Sequence, residues 1–388
     1  MVAFKDRLVS LDVFRGLTMA CMILVENPGN WNIYHVFRHA RWGMVGPNGL
    51  PVHENFTPTD LIMPFFIFII GVSVVFSLWN KRDDKTQHKK TILKITRRTI
   101  TLFILGLIFY AYPSILDYML YGGKISIDAM GVLQRMALVY FASAIIFLKC
   151  SPKTIVWISI VTLLAYWLCT FIPVPGYPVP QFFRQYFTPG NVPSSFPEWV
   201  DAKIIGFANP SGIVSTSTAI VTGLIGVLTG IFLKTEKNQM KIVCRMLLFG
   251  ILLLSIGYFW SLFFPIIKDL WTSSYTLVAG GYALIVFAFV YWLVDVRKSR
   301  KWTSPFVAYG VNCISVYFVS HIIGSTLYGV KVVGVDEKII SVHQWINLHW
   351  FESWLSPFNA SLGFSLVMIC FWFIPLWVMY KKRIFIKV

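Results

Sequence analysis

Charge is scarce in this chain. Only 13% of its 388 residues are Asp, Glu, Lys or Arg, and just 17 of them are acids. A soluble globule of this length needs more polar surface than that to coat its core, so a water-soluble fold is excluded. Cysteine is scarce too: Cys21, Cys150, Cys169, Cys244, Cys313 and Cys370 stand singly in or beside apolar segments. Without a Cys-x-x-Cys pair or a histidine at ligand spacing they support neither a disulfide framework nor a zinc site. Also missing are GxSxG, a P-loop, the Rossmann fingerprint and HExxH, which removes the common soluble-enzyme chemistries.

What is plentiful is apolar surface, with 56% hydrophobic residues. Apolar runs recur near the roughly 20 residues that cross a bilayer. They lie at about 8–25, 59–80, 97–113, 129–149, 154–172, 212–233, 243–265, 275–294, 303–329 and 360–380. The pattern predicts an all-α, polytopic membrane helix bundle of about ten transmembrane helices, one domain over residues 1–388. The first run has no small-residue cleavage site and is expected to stay as a membrane helix rather than leave as a signal peptide.

The formal charge of +17 is a topology signal. Of 34 Lys and Arg, 24 fall on one set of alternate loops and eight on the other. The positive-inside rule then places both termini in the cytoplasm, and no nucleic-acid partner is implied. Three segments are expected on the outer side: 26–58, the proline-rich 172–211 and 330–359. The second, read as a stiff extended lid, holds eight of the 19 prolines.

The outer segment 26–58 crowds titratable, amide and aromatic side chains against the start of the second span. His39 stands in Arg38-His39-Ala40-Arg41-Trp42, between two cations that bias its ring toward the neutral, proton-accepting form. A neutral imidazole at a membrane–water boundary suits general-base work or transient acyl carriage. Asn27 and Asp60 are placed to hold a carbonyl oxygen and orient that ring. Asp60 also fits a plain capping role behind Thr57-Pro58, and a histidine beside two arginines also fits a plain surface loop. Buried charges elsewhere mark a cavity or an ion pair that fixes packing: Asp12 with Arg15 in the first span, Gln134 with Arg135 in the fourth. Asn312 and His321 in the ninth span lie on opposite sides of an ideal helix and share a cavity only if that helix breaks between them. Trp31 and Trp42 add aromatic faces to the outer segment 26–58.

The segments SLDVFRG (10–16), NPGNW (27–31), RHARW (38–42), TPTDLIMPFFIFIIG (57–71), GVLQRMALVYF (131–141), LWTSS (270–274) and GVNCISVYFVSH (310–321) resemble the transmembrane acyltransferase family of heparan-α-glucosaminide N-acetyltransferase. The resemblance implies transfer of acetyl from cytoplasmic acetyl-CoA, a co-substrate, to the amine of a glucosamine-type sugar on the far side, with no metal. It puts the family's active-site histidine on His39 and its asparagine on Asn27. It further implies a bacterial inner-membrane protein with CoA, a small amino sugar and lipid as partners, and a homodimer is compatible with it. CoA phosphates would meet the basic inner loops and Arg15, while Asn27 with Gln134, Arg135 or Asn312 would polarise the thioester carbonyl. Two rivals use the same polar residues: O-acylation of an envelope sugar, and passage of a sugar as a transporter or flippase. A purely structural membrane protein gives no reason for gathering these residues at membrane depth.

Overall fold

The computed structural model describes residues 8–45, 51–54, 56–174, 195–205, 212–334 and 337–386. In chain order its helices are α1 (Val9–Glu26), α2 (Ile62–Leu78), α3 (His88–Tyr121), α4 (Val132–Lys149), α5 (Pro152–Cys169), α6 (Phe196–Ile205), α7 (Ile213–Thr235), α8 (Gln239–Trp260), α9 (Ser273–Tyr291), α10 (Ser304–Val311), α11 (Cys313–Gly329), α12 (Val342–Asn347) and α13 (Pro357–Lys381). Two antiparallel ribbons, β1 (Trp42–Val45) with β2 (Pro51–His53) and β3 (Lys331–Val333) with β4 (Ile339–Ser341), complete it. The class is all-α, as the apolar runs require.

Among the described residues eight helices are long and apolar enough to cross a membrane, or nine if α10 and α11, bent by 76°, form one span. The remaining expected span is helical as well, but α1 holds Asp12, Arg15 and Glu26 in its 18 residues. Helix α3 is far longer than the run at 97–113. It starts inside the basic connector and continues through Pro113, because Lys and Arg stems can lie along a helix and carry their charges to water. Part of the segment read as an extended lid is the helix α6; residues 175–194 and 206–211 of it lie outside the described residues.

Contacts divide the chain into two compact units. The first comprises Met1–Arg38, Leu107–Asp128 and Phe289–Val388, the second His39–Gly106 and Ala129–Ala288. In the first unit α1 packs against α10 and α13. Asp12 and Arg15 pair with each other at 3.5 Å, one helical turn apart. The chain breaks at Asn312, whose φ of −116° and ψ of 31° leave the helical region.

In the second unit α2 lies along α7. A Cβ at Gly226 would run into the Phe68 carbonyl, and one at Gly71 into the Gly223 carbonyl. Small residues permit this approach, which dispersion and not the hydrophobic effect must hold together inside a bilayer. One end of this unit is basic. The Arg82 guanidinium donates to the Cys150 carbonyl at 2.8 Å and stands 5.0 Å from the Phe147 ring, and Lys234 covers Phe76 at 4.6 Å. Asp60 opens α2 at its other end, about 30 Å away at 1.5 Å per residue, which matches a hydrocarbon core. Helices α5 and α8 expose Trp157, Leu164, Leu168, Leu248, Phe249 and Phe259, an apolar face suited to lipid.

Gly226→Leu should cost roughly 1–3 kcal/mol by overpacking α2 against α7, read as a lower melting temperature in detergent. A second expectation concerns His343, which stacks on Tyr328 at 4.0 Å in the first unit and is 3% exposed. Burial pushes its pKa from 6.5 down to about 4, against a backbone hydrogen bond at Pro28. The folded state therefore binds fewer protons than the unfolded one between those values. Stability is complete above pH 6.5 and should fall by up to about 3 kcal/mol as pH drops toward 4. Melting curves of the wild type should show this slope, and His343→Gln should flatten it.

Candidate active site

Thr57 is the N-cap of the turn that opens α2, and Asp60 is its third residue. They form a capping box, with the Thr57 amide donating to Asp60 Oδ2 at 2.9 Å. The capping role expected of Asp60 is real, and it takes up only part of the carboxylate. The chain between Arg41 and Glu54 turns back on itself as the β1–β2 hairpin. Its base is closed by the Glu54 amide donating to the Arg41 carbonyl and the Arg41 amide donating to the Glu54 carboxylate, both at 2.9 Å. That closure carries residues 39 and 40 back over residues 57–60. The Ala40 amide then donates to Asp60 Oδ2 at 3.1 Å, and His39 Nδ1 lies 2.7 Å from Asp60 Oδ1.

The carboxylate is sealed, at 1% exposure, while the His39 side chain is 49% exposed. A carboxylate can only accept, so this bond puts the hydrogen on Nδ1 and leaves the Nε2 lone pair open. Buried acid, oriented imidazole and free outer nitrogen together make the arrangement that general-base and acyl-transfer sites use. Behind it the Tyr275 hydroxyl donates to the Asp60 carbonyl at 2.6 Å, so that α9 holds the start of α2 in place.

A third charged group stands at the dyad. Lys268 Nζ is 2.9 Å from His39 Nδ1, 3.4 Å from Nε2 and 3.6 Å from Asp60 Oδ1. In the sequence Lys268 is marked only as one of the eight basic residues of the sparser set of loops, just ahead of the LWTSS run. The run makes a knotted turn. Thr272 Oγ1 donates to the Pro265 carbonyl at 2.8 Å and accepts from the Ile267 amide at 3.1 Å. Trp271, with φ of 49°, takes the left-handed conformation that a bulky residue rarely adopts. Its carbonyl accepts from Thr218 at 2.7 Å, and its ring lies 4.9 Å from the Arg135 guanidinium.

Arg135 packs against that turn. It is 1% exposed, donates to the Ser215 hydroxyl at 2.8 Å and grips the indole of the turn that carries Lys268. Gln134 is fully buried against Gly106. Trp42 heads β1, its backbone paired with that of His53.

The other candidates belong to the first unit. Asn27 is 8% exposed and donates through Nδ2 to the Ile23 carbonyl at 2.9 Å. It shares a cavity of about 220 Å³ with Glu26, Tyr317, Ser320, His321 and Ser325. His321 stacks on Phe109 at 3.6 Å between centroids and donates through Nε2 to the Phe109 carbonyl at 3.0 Å. The helix breaks as a shared cavity for Asn312 and His321 would demand, yet Asn312 is engaged elsewhere. Its amide donates to the Ile384 carbonyl and accepts from the Ile386 amide, both at 3.0 Å, tying down the C-terminal segment. Trp31 stands in the open, 87% exposed. Among the described residues no group of three His, Cys, Asp or Glu is arranged to hold a metal.

No protein-family model matches the chain. Two curated proteins do. The mouse protein named heparan-alpha-glucosaminide N-acetyltransferase is 27% identical over an alignment of 444 positions covering 99% of this chain and 61% of that protein. The human protein of the same name is 26% identical over 447 positions, covering 100% of this chain and 60% of its own length. The chain thus spans about three-fifths of the length of these relatives. From SLDVFRG to GVNCISVYFVSH and beyond, nearly the whole chain is similar in sequence to these two proteins.

Proposed function

We propose that this chain is a transmembrane acetyltransferase that moves acetyl from acetyl-CoA to the amine of a glucosamine-type sugar. The single observation that carries the reading is the His39–Asp60 pair, with Nδ1 engaged at 2.7 Å by a sealed carboxylate and the ring half exposed. An amine is a good nucleophile only after losing its proton, and Nε2 is the group available to take it. The same lone pair could instead accept the acetyl group and pass it on. Asp60 holds the ring in the productive tautomer and faces the imidazolium that forms.

The topology proposed is ten spans, α1 included and α10–α11 counted once, with both termini in the cytoplasm. The basic end of the second unit, at Arg82 and Lys234, would face the cytoplasm and meet CoA phosphates. His39, at the far end of α2, would face the extracytoplasmic side. Arg15, paired with Asp12, remains a candidate phosphate contact at the start of α1. In the first unit, the cavity holding Asn27 and His321 has a partly polar lining and, at about 220 Å³, suits a small group rather than a whole cofactor. Asn27 is assigned to a substrate carbonyl there, and Trp31 and Trp42 to sugar contacts. The break between α10 and α11 favours one other reading, since discontinuous spans occur in transporters. That reading requires sugar flux in proteoliposomes lacking acetyl-CoA, whereas the acetyltransferase shows none.

In proteoliposomes with acetyl-CoA and glucosamine, His39→Ala should remove acetyl transfer while acetyl-CoA binding persists. Asp60→Asn leaves the ring without its anchor and should lower turnover by about 10³–10⁴-fold. Wild-type turnover in His39→Ala would reject the assignment. Acceptor choice is a separate test: glucosamine should be acetylated and N-acetylglucosamine should not, whereas an O-acyltransferase would use both.

A further inference from the structure

Lys268 is not among the residues to which the resemblance gives a role, and its placement is unusual. One Nζ lies within 3.4 Å of both nitrogens of the His39 ring. An ammonium approaching Nδ1 along the ring plane would have Nε2 on the far side of the ring. Closeness to both nitrogens is met only by a cation over the ring's face. The in-plane direction at Nδ1 is left to Asp60, so the two contacts coexist and the outer lone pair on Nε2 stays open.

The position is built and not incidental. The Lys268 side chain is only 21% exposed, and its nearest carboxylate oxygen, Asp60 Oδ1, is 3.6 Å away. That is a loose ion pair for a lysine that could approach closer if pairing were its purpose. The turn that holds it accepts an unfavourable φ at Trp271, offset by Thr218 and by Arg135 against the indole.

We propose that Lys268 is a catalytic cation that stabilises the oxyanion formed at the acyl carbon beside His39 Nε2. This rests on the acetyl-transfer reading given above. The reaction balances as follows. The incoming nitrogen bonds to the thioester carbon, and the C=O π pair moves onto oxygen, making the oxyanion. As the C=O bond re-forms, the C–S bond breaks and its pair leaves with sulfur. The proton lost by the amine passes to Nε2 and then to the thiolate, giving amide and thiol. A positive charge fixed next to Nε2 before the reaction starts lowers the energy of the oxyanion more than that of the neutral thioester. It therefore acts on turnover and not on ground-state binding.

The test uses the full chain in liposomes with acetyl-CoA and glucosamine, following thiol release and N-acetylglucosamine. Lys268→Met keeps the stem and removes the charge. Its kcat should fall by roughly 10²–10³-fold, with KM for acetyl-CoA and the melting temperature near wild type, and Lys268→Arg should recover part of the loss. Near-normal kcat in Lys268→Met, alongside an inactive His39→Ala, overturns the role of Lys268 and leaves the acetyltransferase reading standing. A loss carried by KM or by a lowered melting temperature, with no recovery in Lys268→Arg, likewise overturns it, because a packing role predicts that pattern. An active His39→Ala removes the site reading itself, and this proposal with it.

Discussion

A carboxylate is buried at the start of α2, and the structure around it follows from that. A sealed charge costs several kcal/mol unless its oxygens are satisfied. Asp60 meets the requirement with amides from Thr57 and Ala40, the Thr57 hydroxyl, the His39 ring and Lys268 nearby. The donors come from three pieces of local structure: the capping turn at Thr57, the adjacent pair His39 and Ala40 ahead of β1, and the turn ahead of α9. Satisfying one acid thus brings together every group of the candidate site in the second unit. The imidazole orientation that the proposed chemistry needs is also the one that keeps the charge stable.

Support for that arrangement reaches deeper into the unit. Tyr275 ties the Asp60 backbone to α9, Trp271 packs edge-on against Tyr275 with centroids 5.4 Å apart, and Arg135 faces Trp271. An arginine at membrane depth is expensive, and by default it suggests a ligand. Here part of its value is mechanical. It holds an aromatic residue in a backbone conformation that would otherwise be disfavoured, and so keeps the turn bearing Lys268 in shape. Helix α2 itself can serve as the rigid post of the site because its Gly71 and the α7 glycines Gly226 and Gly230 let the two backbones meet, leaving little room to slide.

How far these features could be read in advance varied with their range along the chain. The spans were legible, since apolar length is a local property. The start of α2 was legible for the same reason: Thr57, Pro58 and Asp60 form a cap within four residues. The extent of α3 was not, because the basic stretch from His88 to Arg98 resembles a solvated loop by composition, yet it is helix with its Lys and Arg side chains exposed and Thr91 and Ile95 buried one turn apart. The break near Asn312 was foreseen as a condition on His321, but its location follows from two backbone contacts made more than 70 residues away. His39 and Asp60 were named from composition and resemblance, whereas Lys268, 229 positions from His39, had no local mark.

The amino-acid sequence by itself determined the solvent of this protein, its helical class, the start of α2 and the presence of a histidine beside an acid-bearing helix end. These depend on hydropathy and on spacings within a turn or two. Tertiary structure alone decided that the histidine's inner nitrogen meets Asp60, that a distant lysine covers its face, and that Arg135 braces a tryptophan. It also set Asn312 to hold the C-terminal segment. Those outcomes depend on which buried charges and hydrogen-bonding groups become neighbours once the helices pack, and no pattern confined to a short stretch of chain records that.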